Sequence, residues 1–230
     1  MSDQSVPLIS VRGLRKTFIK DGSRIEVLRG IDLEVEKAST LALFGVSGAG
    51  KTTLVHIIGT LDRPTAGEVL FRGRNIFAWD EGELARFRNR HIGFVFQMHN
   101  LLPEFSALEN VMMPALIAGL SRGEAKGKAQ AILAEVGLGD RLGHKPGELS
   151  GGEQQRVAVA RAIVMEPEIV LADEPTGNLD TETGKKIEDT LIDLNRKKGI
   201  TLIVVTHNKN LADRMGRQIG LRDGRIYLNG

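Results

Sequence analysis

Apolar and polar residues change their spacing several times along this chain, and the changes predict the order of its elements. Segments 8–11, 26–28 and 31–35 mix the two, most regularly at Ile31-Asp32-Leu33-Glu34-Val35. Half-buried strands of a small antiparallel sheet read this way. The runs at 41–44, 169–172 and 201–205 are almost continuously apolar, as expected of strands buried on both faces of a parallel sheet. Leu54, Ile57, Ile58 and Leu61 then recur at helical spacing after the first run. Between the last two runs, residues 181–198 carry Ile187, Leu191 and Leu194 on one helical face, which predicts a βαβ unit. In the middle third, Ala125, Ala129, Ile132, Leu133 and Val136 mark one helix, and Val157, Ala160 and Val164 mark another. No strong strand pattern separates them. The expected fold class is α/β, with residues 98–165 as a mostly helical insertion into the core. The sequence has no internal repeat, low-complexity tract or long linker.

Composition narrows the classes further. A chain of 230 residues can bury a full core, as one large domain or two small ones. Its net charge is +2 with acidic and basic residues interspersed, which gives no case for a nucleic-acid tail or a polybasic membrane anchor. Cysteine is absent, so disulfides and thiolate metal sites are excluded. The start, Met1-Ser2-Asp3-Gln4-Ser5, is polar and lacks the apolar stretch of a signal peptide. No apolar run approaches the roughly 20 residues that span a bilayer, so any membrane role is expected to come through a partner.

Three strings carry chemistry. Gly45-Val46-Ser47-Gly48-Ala49-Gly50-Lys51-Thr52 fits the phosphate-cradling loop G-x-x-x-x-G-K-[ST]. Its context is right: an apolar strand enters it and a helical pattern leaves it. Glycines let backbone N–H groups converge on an anion, Lys51 adds positive charge, and the Thr52 hydroxyl can bind Mg²⁺. Second, Ile169-Val170-Leu171-Ala172-Asp173-Glu174 is an apolar strand ending in two carboxylates, and the C-terminal edge of a parallel sheet is where ligands bind. Asp173 is placed to hold Mg²⁺, directly or through water, and Glu174 to polarise an attacking water. Third, Leu149-Ser150-Gly151-Gly152-Glu153-Gln154-Gln155-Arg156 contains a capping box, Ser150 with Glu153, opening the helix that carries Val157 and Ala160. Gly-Gly in a first turn weakens a helix by up to about 1 kcal/mol per residue, yet bare backbone there suits close approach of a phosphate.

With these strings the chain resembles the nucleotide-binding domain of ATP-binding cassette (ABC) transporters. The phosphate loop, the LSGGEQ string and the Asp-Glu strand end stand in that family's order. So do Gln97 after Ile92-Gly93-Phe94-Val95-Phe96, Asn178-Leu179-Asp180, and His207 after Leu202-Ile203-Val204-Val205-Thr206. The resemblance runs from about Leu8 to Asn229. It implies a single ABC ATPase domain over 1–230. Residues 1–97 and 166–230 would form a P-loop core of mixed, mostly parallel sheet with a small antiparallel subdomain, and 98–165 an inserted helical subdomain.

The family's roles then carry over position by position. Gly45, Val46, Ser47, Gly48, Ala49, Gly50, Lys51, Thr52 and Thr53 would bind ATP. Phe18 would stack on adenine in the place where tyrosine is usual; phenylalanine keeps the π-face, although core packing competes for it. Thr52, Gln97 and Asp173 would hold Mg²⁺, with Gln97 also sensing the membrane partner. Glu174, His207, Gln97 and Lys51 would be catalytic. Asp180 would link two sites across a dimer. In the family, two chains sandwich two ATP molecules head to tail, so that Ser150, Gly151 and Gly152 of one copy complete the site of the other.

The stretch Met98-His99-Asn100-Leu101-Leu102-Pro103-Glu104-Phe105, together with Arg214-Met215 and Leu221-Arg222-Asp223-Gly224-Arg225, is similar to the ATP-binding subunits of bacterial lipoprotein-releasing systems of the Lol type. That implies a peripheral dimer on the cytoplasmic face of the inner membrane, serving a permease pair that extracts lipoproteins and hands them to a carrier. Leu101, Leu102 and Phe105 would be core or permease contact. ATPases of macrolide exporters or of cell-division complexes are the alternative. DNA-repair relatives carry long coiled-coil or zinc-bearing insertions, translation factors carry two cassettes, and a purely regulatory module does not need Glu174 and His207.

Overall fold

The computed structural model describes residues 6–229; the Met1–Ser5 segment, expected not to be a signal peptide, lies outside them. The chain runs through β1 (Ile9–Lys20), β2 (Ser23–Val35), β3 (Thr40–Phe44), α1 (Lys51–Ile58), β4 (Ala66–Phe71), β5 (Arg74–Asn75) and α2 (Glu81–His91). It continues through β6 (Ile92–Phe96), α3 (Ala107–Ile117), α4 (Arg122–Glu135), α5 (Gly151–Ile163) and β7 (Ile169–Asp173). Last come α6 (Thr181–Lys198), β8 (Thr201–Val205), α7 (Lys209–Ala212), β9 (Arg217–Arg222) and β10 (Arg225–Asn229). Packing divides it into two compact units, one running to Ala85 and resuming at Ile203, the other Arg86–Leu202.

In the first unit, β2, β1, β4 and β5 form an antiparallel sheet in that order. The short strands expected at 8–11, 26–28 and 31–35 are parts of one long hairpin, in which pairing continues through Arg15↔Arg29 and Thr17↔Glu26. Register shifts near Leu14 let the strands pass Gly13 (φ 53°) and Gly30 (φ 86°) as bulges. The turn is Asp21-Gly22, both with positive φ (49° and 75°), the two-residue turn whose twist matches its strands. Arg72-Gly73 and Asp223-Gly224 repeat that geometry and close β4–β5 and β9–β10. Strand β3 runs parallel to β9, from Leu41↔Arg217 to Phe44↔Gly220. Beside β3 on its other edge, the Thr206 N–H donates to the Leu43 carbonyl at 3.1 Å. Helix α1 buries Leu54, Val55, Ile57 and Ile58. Leu61, expected on the same face, lies beyond the end of the helix at Gly59 and is 45% exposed.

In the second unit, β6 and β7 are parallel and in register from Ile92↔Ile169 to Phe96↔Asp173. The run Ile169–Ala172 is no more than 1% exposed at any position, as its continuous apolar pattern predicts. Ser106, Ser121 and Ser150 each open a helix (α3, α4, α5) with a capping box to Glu109, Glu124 and Glu153. Helix α5 lies so close to β6 that a Cβ at Gly93 would fall 2.2 Å from the Ala162 carbonyl oxygen.

Candidate functional site

In the first unit the phosphate loop leaves β3 at Gly45. A Cβ there would sit 2.0 Å from the Leu221 carbonyl oxygen on the neighbouring β9. Gly50 is left-handed (φ 101°) at the N-cap of α1, and no side chain caps this helix or places an acid in its first turn. The contrast with the serine-capped helices is physical: the N-terminal N–H groups of α1 are left for an anion. The Lys51 Nζ folds back over the loop and donates to the carbonyls of Gly45 (2.8 Å) and Val46 (3.0 Å). Ser47, Gly48 and Thr52 are exposed, Thr53 is half-buried and Ala49 is buried. His207 is exposed, one residue after buried Thr206, so it leaves the sheet beside the start of the loop. Phe18, on β1, is 41% exposed, and the Lys16 ammonium lies 4.7 Å from its ring centroid. Core packing does not claim this ring.

In the second unit, the Phe96↔Asp173 pair ends two adjacent parallel strands, so Gln97 and Glu174 emerge side by side at one sheet edge. Gln97 is exposed, and its Nε2 donates to Asn178 Oδ1 at 3.1 Å while Asn178 Nδ2 donates to the Gln97 carbonyl at 3.3 Å. Glu174 has φ 47°, a left-handed conformation immediately before Pro175, where the preceding residue favours extended backbone. Non-glycine residues held this way cluster at functional sites. Asp173 Oδ1 is buried without a hydrogen-bond partner, and a buried acceptor left unpaired costs about 1–3 kcal/mol. That orphaned oxygen fits a cation. No group of three or more His, Asp or Glu among the described residues could hold a metal alone.

The third cluster lies at the starts of α5 and α6. Ser150 Oγ donates to Glu153 Oε2 (2.9 Å) and the Ser150 N–H donates to the same oxygen (2.8 Å). Those bonds, the backbone one foremost, hold the Glu153 carboxyl at a pKa of about 2. Arg141 Nε adds a donor to Glu153 Oε1 at 3.1 Å. Gly152 has a packing reason of its own: a Cβ would meet Thr183 Cγ2 of α6 at 2.3 Å. Gly151 is exposed, and a Cβ there would make only ordinary contact with Leu179. Asp180 caps α6, its Oδ1 accepting the N–H groups of Glu182 and Thr183. The Thr183 bond, chiefly, holds it below the usual carboxylate range. Leu102 and Phe105 are 41% and 38% exposed, so they are not core. The sequence reading passed over Asn178 as a partner of Gln97, and Gln155 and Arg161 as ties within the unit. A glutamine at 155 among Ala158, Val159 and Ala162 on the buried face of α5 is the signal that could have pointed to one of them.

A glycine loop leading from a buried strand into an uncapped helix defines a P-loop nucleotide-binding domain. Residues 28–177 match the ABC transporter family, and the chain belongs to that family as an ATP-binding subunit. It is 73% identical over 95% of its length, and 98% of the relative's, to the lipoprotein-releasing system ATP-binding protein LolD of Syntrophus aciditrophicus. To the protein of the same name from Geobacter metallireducens it is 57% identical, over 96% and 99% of the two chains. Among solved structures, a dimeric post-hydrolysis state of the ATP-binding cassette MJ0796 bound to ADP and Pi shares the fold with a TM-score of 0.89. That likeness has 39% identity and covers 96% of this chain and 97% of that one. The expected α/β cassette is the fold found.

Proposed function

We propose that this chain, as a pair of copies on the cytoplasmic face of the bacterial inner membrane, hydrolyses ATP and drives release of lipoproteins through an integral permease towards the outer membrane. The observation that carries the chemistry is the Phe96↔Asp173 register, which sets Gln97 and Glu174 at one edge. The lipoprotein substrate and the permease pair rest on near full-length likeness to lipoprotein-releasing ATP-binding proteins. No helix among the described residues is long and apolar enough to cross a membrane. The domain is one ABC ATPase over 1–230, its core being 1–97 and 166–230 and its helical part 98–165.

Lys51 exchanges its two carbonyls for the nucleotide's phosphates, and the loop from Gly45 to Thr53 supplies N–H donors to the same anion. Phe18 stacks on adenine through its exposed face. Mg²⁺, held by Thr52, Gln97 and Asp173, would offset charge developing on the phosphates. Glu174 orients and deprotonates the attacking water, and His207 donates to the γ-phosphate. Ser150, Gly151 and Gly152 of the partner subunit close over that phosphate, and Asp180 links the two sites. Loss of the γ-phosphate breaks this bridge, and the pair reopens against the permease.

Glu174→Gln is expected to bind ATP normally and to hydrolyse it about 10² to 10⁴ times more slowly, measured as phosphate release with the permease present. Wild-type turnover in that variant removes Glu174 from the mechanism. Co-purification of a lipoprotein-releasing permease, as against a macrolide or cell-division one, tests the substrate.

A further inference from the structure

We propose that α5 sets the positions of Gln97 and Glu174 from behind, with Gln155 as the principal positioning residue and Arg161 as its second tie. The proposal rests on the reading that Gln97 and Glu174 act on the nucleotide.

Gln155 is fully buried, at 0% exposure. Its Nε2 donates to the Pro175 carbonyl at 2.6 Å and to the Phe96 carbonyl at 3.3 Å. One carbonyl follows Glu174 directly and the other directly precedes Gln97. A single amide therefore spans the ends of both strands that carry the site. The opposite amide orientation would set Oε1 against two carbonyl oxygens, so the network fixes which end faces them. That leaves Oε1 buried without a partner, a standing penalty to the fold. An apolar side chain of the same length would avoid it, but would leave the Pro175 carbonyl without its Nε2 donor. What its N–H groups hold is the backbone on which Gln97 and Glu174 stand.

Both segments it serves are strained. Glu174 is left-handed before a proline, and after Gln97 the chain turns through His99 (φ 53°) and Asn100 (φ 49°), two consecutive left-handed residues. The second tie holds that turn: Arg161 Nη1 donates to the Asn100 carbonyl at 2.6 Å and Nη2 to the His99 carbonyl at 2.7 Å. A planar guanidinium fits two adjacent carbonyls as a fork. Gln155 and Arg161 stand on one rigid helix, the helix that opens with Ser150. Whatever seats the start of α5 therefore also sets the backbone that carries Gln97 and Glu174.

The test uses the full chain with Mg-ATP and its membrane partner. Gln155→Met, which leaves the Pro175 carbonyl without this donor, is expected to stay folded with a modestly lowered melting temperature and to keep ATP affinity within about twofold, while kcat falls at least about tenfold through misplaced groups. Gln155→Leu, apolar and without the donors, is expected to show the same split. Arg161→Lys, which loses the fork, is expected to lower kcat severalfold at unchanged ATP affinity. Wild-type kcat in a folded Gln155→Met overturns the proposal, and so does unfolding of both Gln155 variants, which would assign the residue to the core. Glu174→Gln is run alongside. If it is inactive while Gln155→Met is normal, only the positioning role fails; if it turns over normally, the catalytic reading has failed first.

Discussion

Gly177→Ala isolates the position of the Gln97 side chain from the stability of the fold. Gly177 is exposed and its φ is not positive, so the backbone accepts alanine. The new Cβ would lie 2.7 Å from Gln97 Nε2, 3.1 Å from its Cδ and 3.4 Å from its Cγ, and those are the nearest atoms it meets. To reach ordinary contact the amide must retreat from 2.7 to at least 3.4 Å, about 0.7 Å or more. It is the free end of a flexible side chain, so the fold barely resists. What is lost is the exposed Gln97–Asn178 bond of 3.1 Å, worth no more than about 1 kcal/mol, or a melting shift within about 4 °C for a chain of this length. Misplacing a positioning group by about 1 Å costs up to about 10²-fold in rate, and a fall of about 10- to 100-fold in kcat is expected. Phosphate release at saturating Mg-ATP, with the permease present and a melting curve taken in parallel, reads both quantities. Undiminished kcat would refute a role for the Gln97 amide, and a melting loss beyond about 10 °C would show that the space at Gly177 serves the fold instead.

Other outcomes follow from the same geometry. Because the Glu153 carboxyl is lowered from 4.5 to about 2, its contribution to stability is complete above about pH 4.5 and fades as pH falls towards about 2. Ser150→Ala is expected to cost about 1 kcal/mol at pH 7 and clearly less at pH 2, seen in denaturant midpoints; an equal difference at both pH values contradicts this cap. Gly45→Ala drives a Cβ against the backbone of β9 at 2.0 Å and is expected to destabilise by more than about 2 kcal/mol and to abolish nucleotide binding. A melting point unchanged by Gly45→Ala would show that β9 can give way.

The sequence made some elements plain and hid others for physical reasons. Residues 181–198 and 201–205 are helix and strand over those same bounds, because a full apolar face and a continuous apolar run leave little choice of period. The β1–β2 hairpin is understated because Arg15, Lys20 and Arg24 face solvent and the half-buried Lys16 and Thr17 are polar, which dilutes the pattern while backbone pairing continues beneath it. Strands β4, β5, β9 and β10 escape a reading by apolar runs, yet their turns, Arg72-Gly73 and Asp223-Gly224, are local signals. In the site, the glycine loop, the Ser150–Glu153 box and the Asp173-Glu174 strand end are legible because each is a string. The Asn178 pairing with Gln97, and the reach of Gln155 to Phe96 and Pro175, join residues about 20 to 80 positions apart, and only folding reveals them. Gly152 shows the reverse case: a glycine that reads as room for phosphate also makes room for Thr183.

The account stands on shared catalysis, in which the α5 start of one copy finishes the reaction centre of another. The most direct measurement is ATP turnover per chain as the purified protein is diluted at saturating Mg-ATP, with sedimentation of the same samples. Turnover per chain is expected to fall in step with the fraction of paired copies and to vanish for the single chain, with Ser150→Arg inactive at every concentration. Full turnover in samples that sediment only as single chains would contradict it.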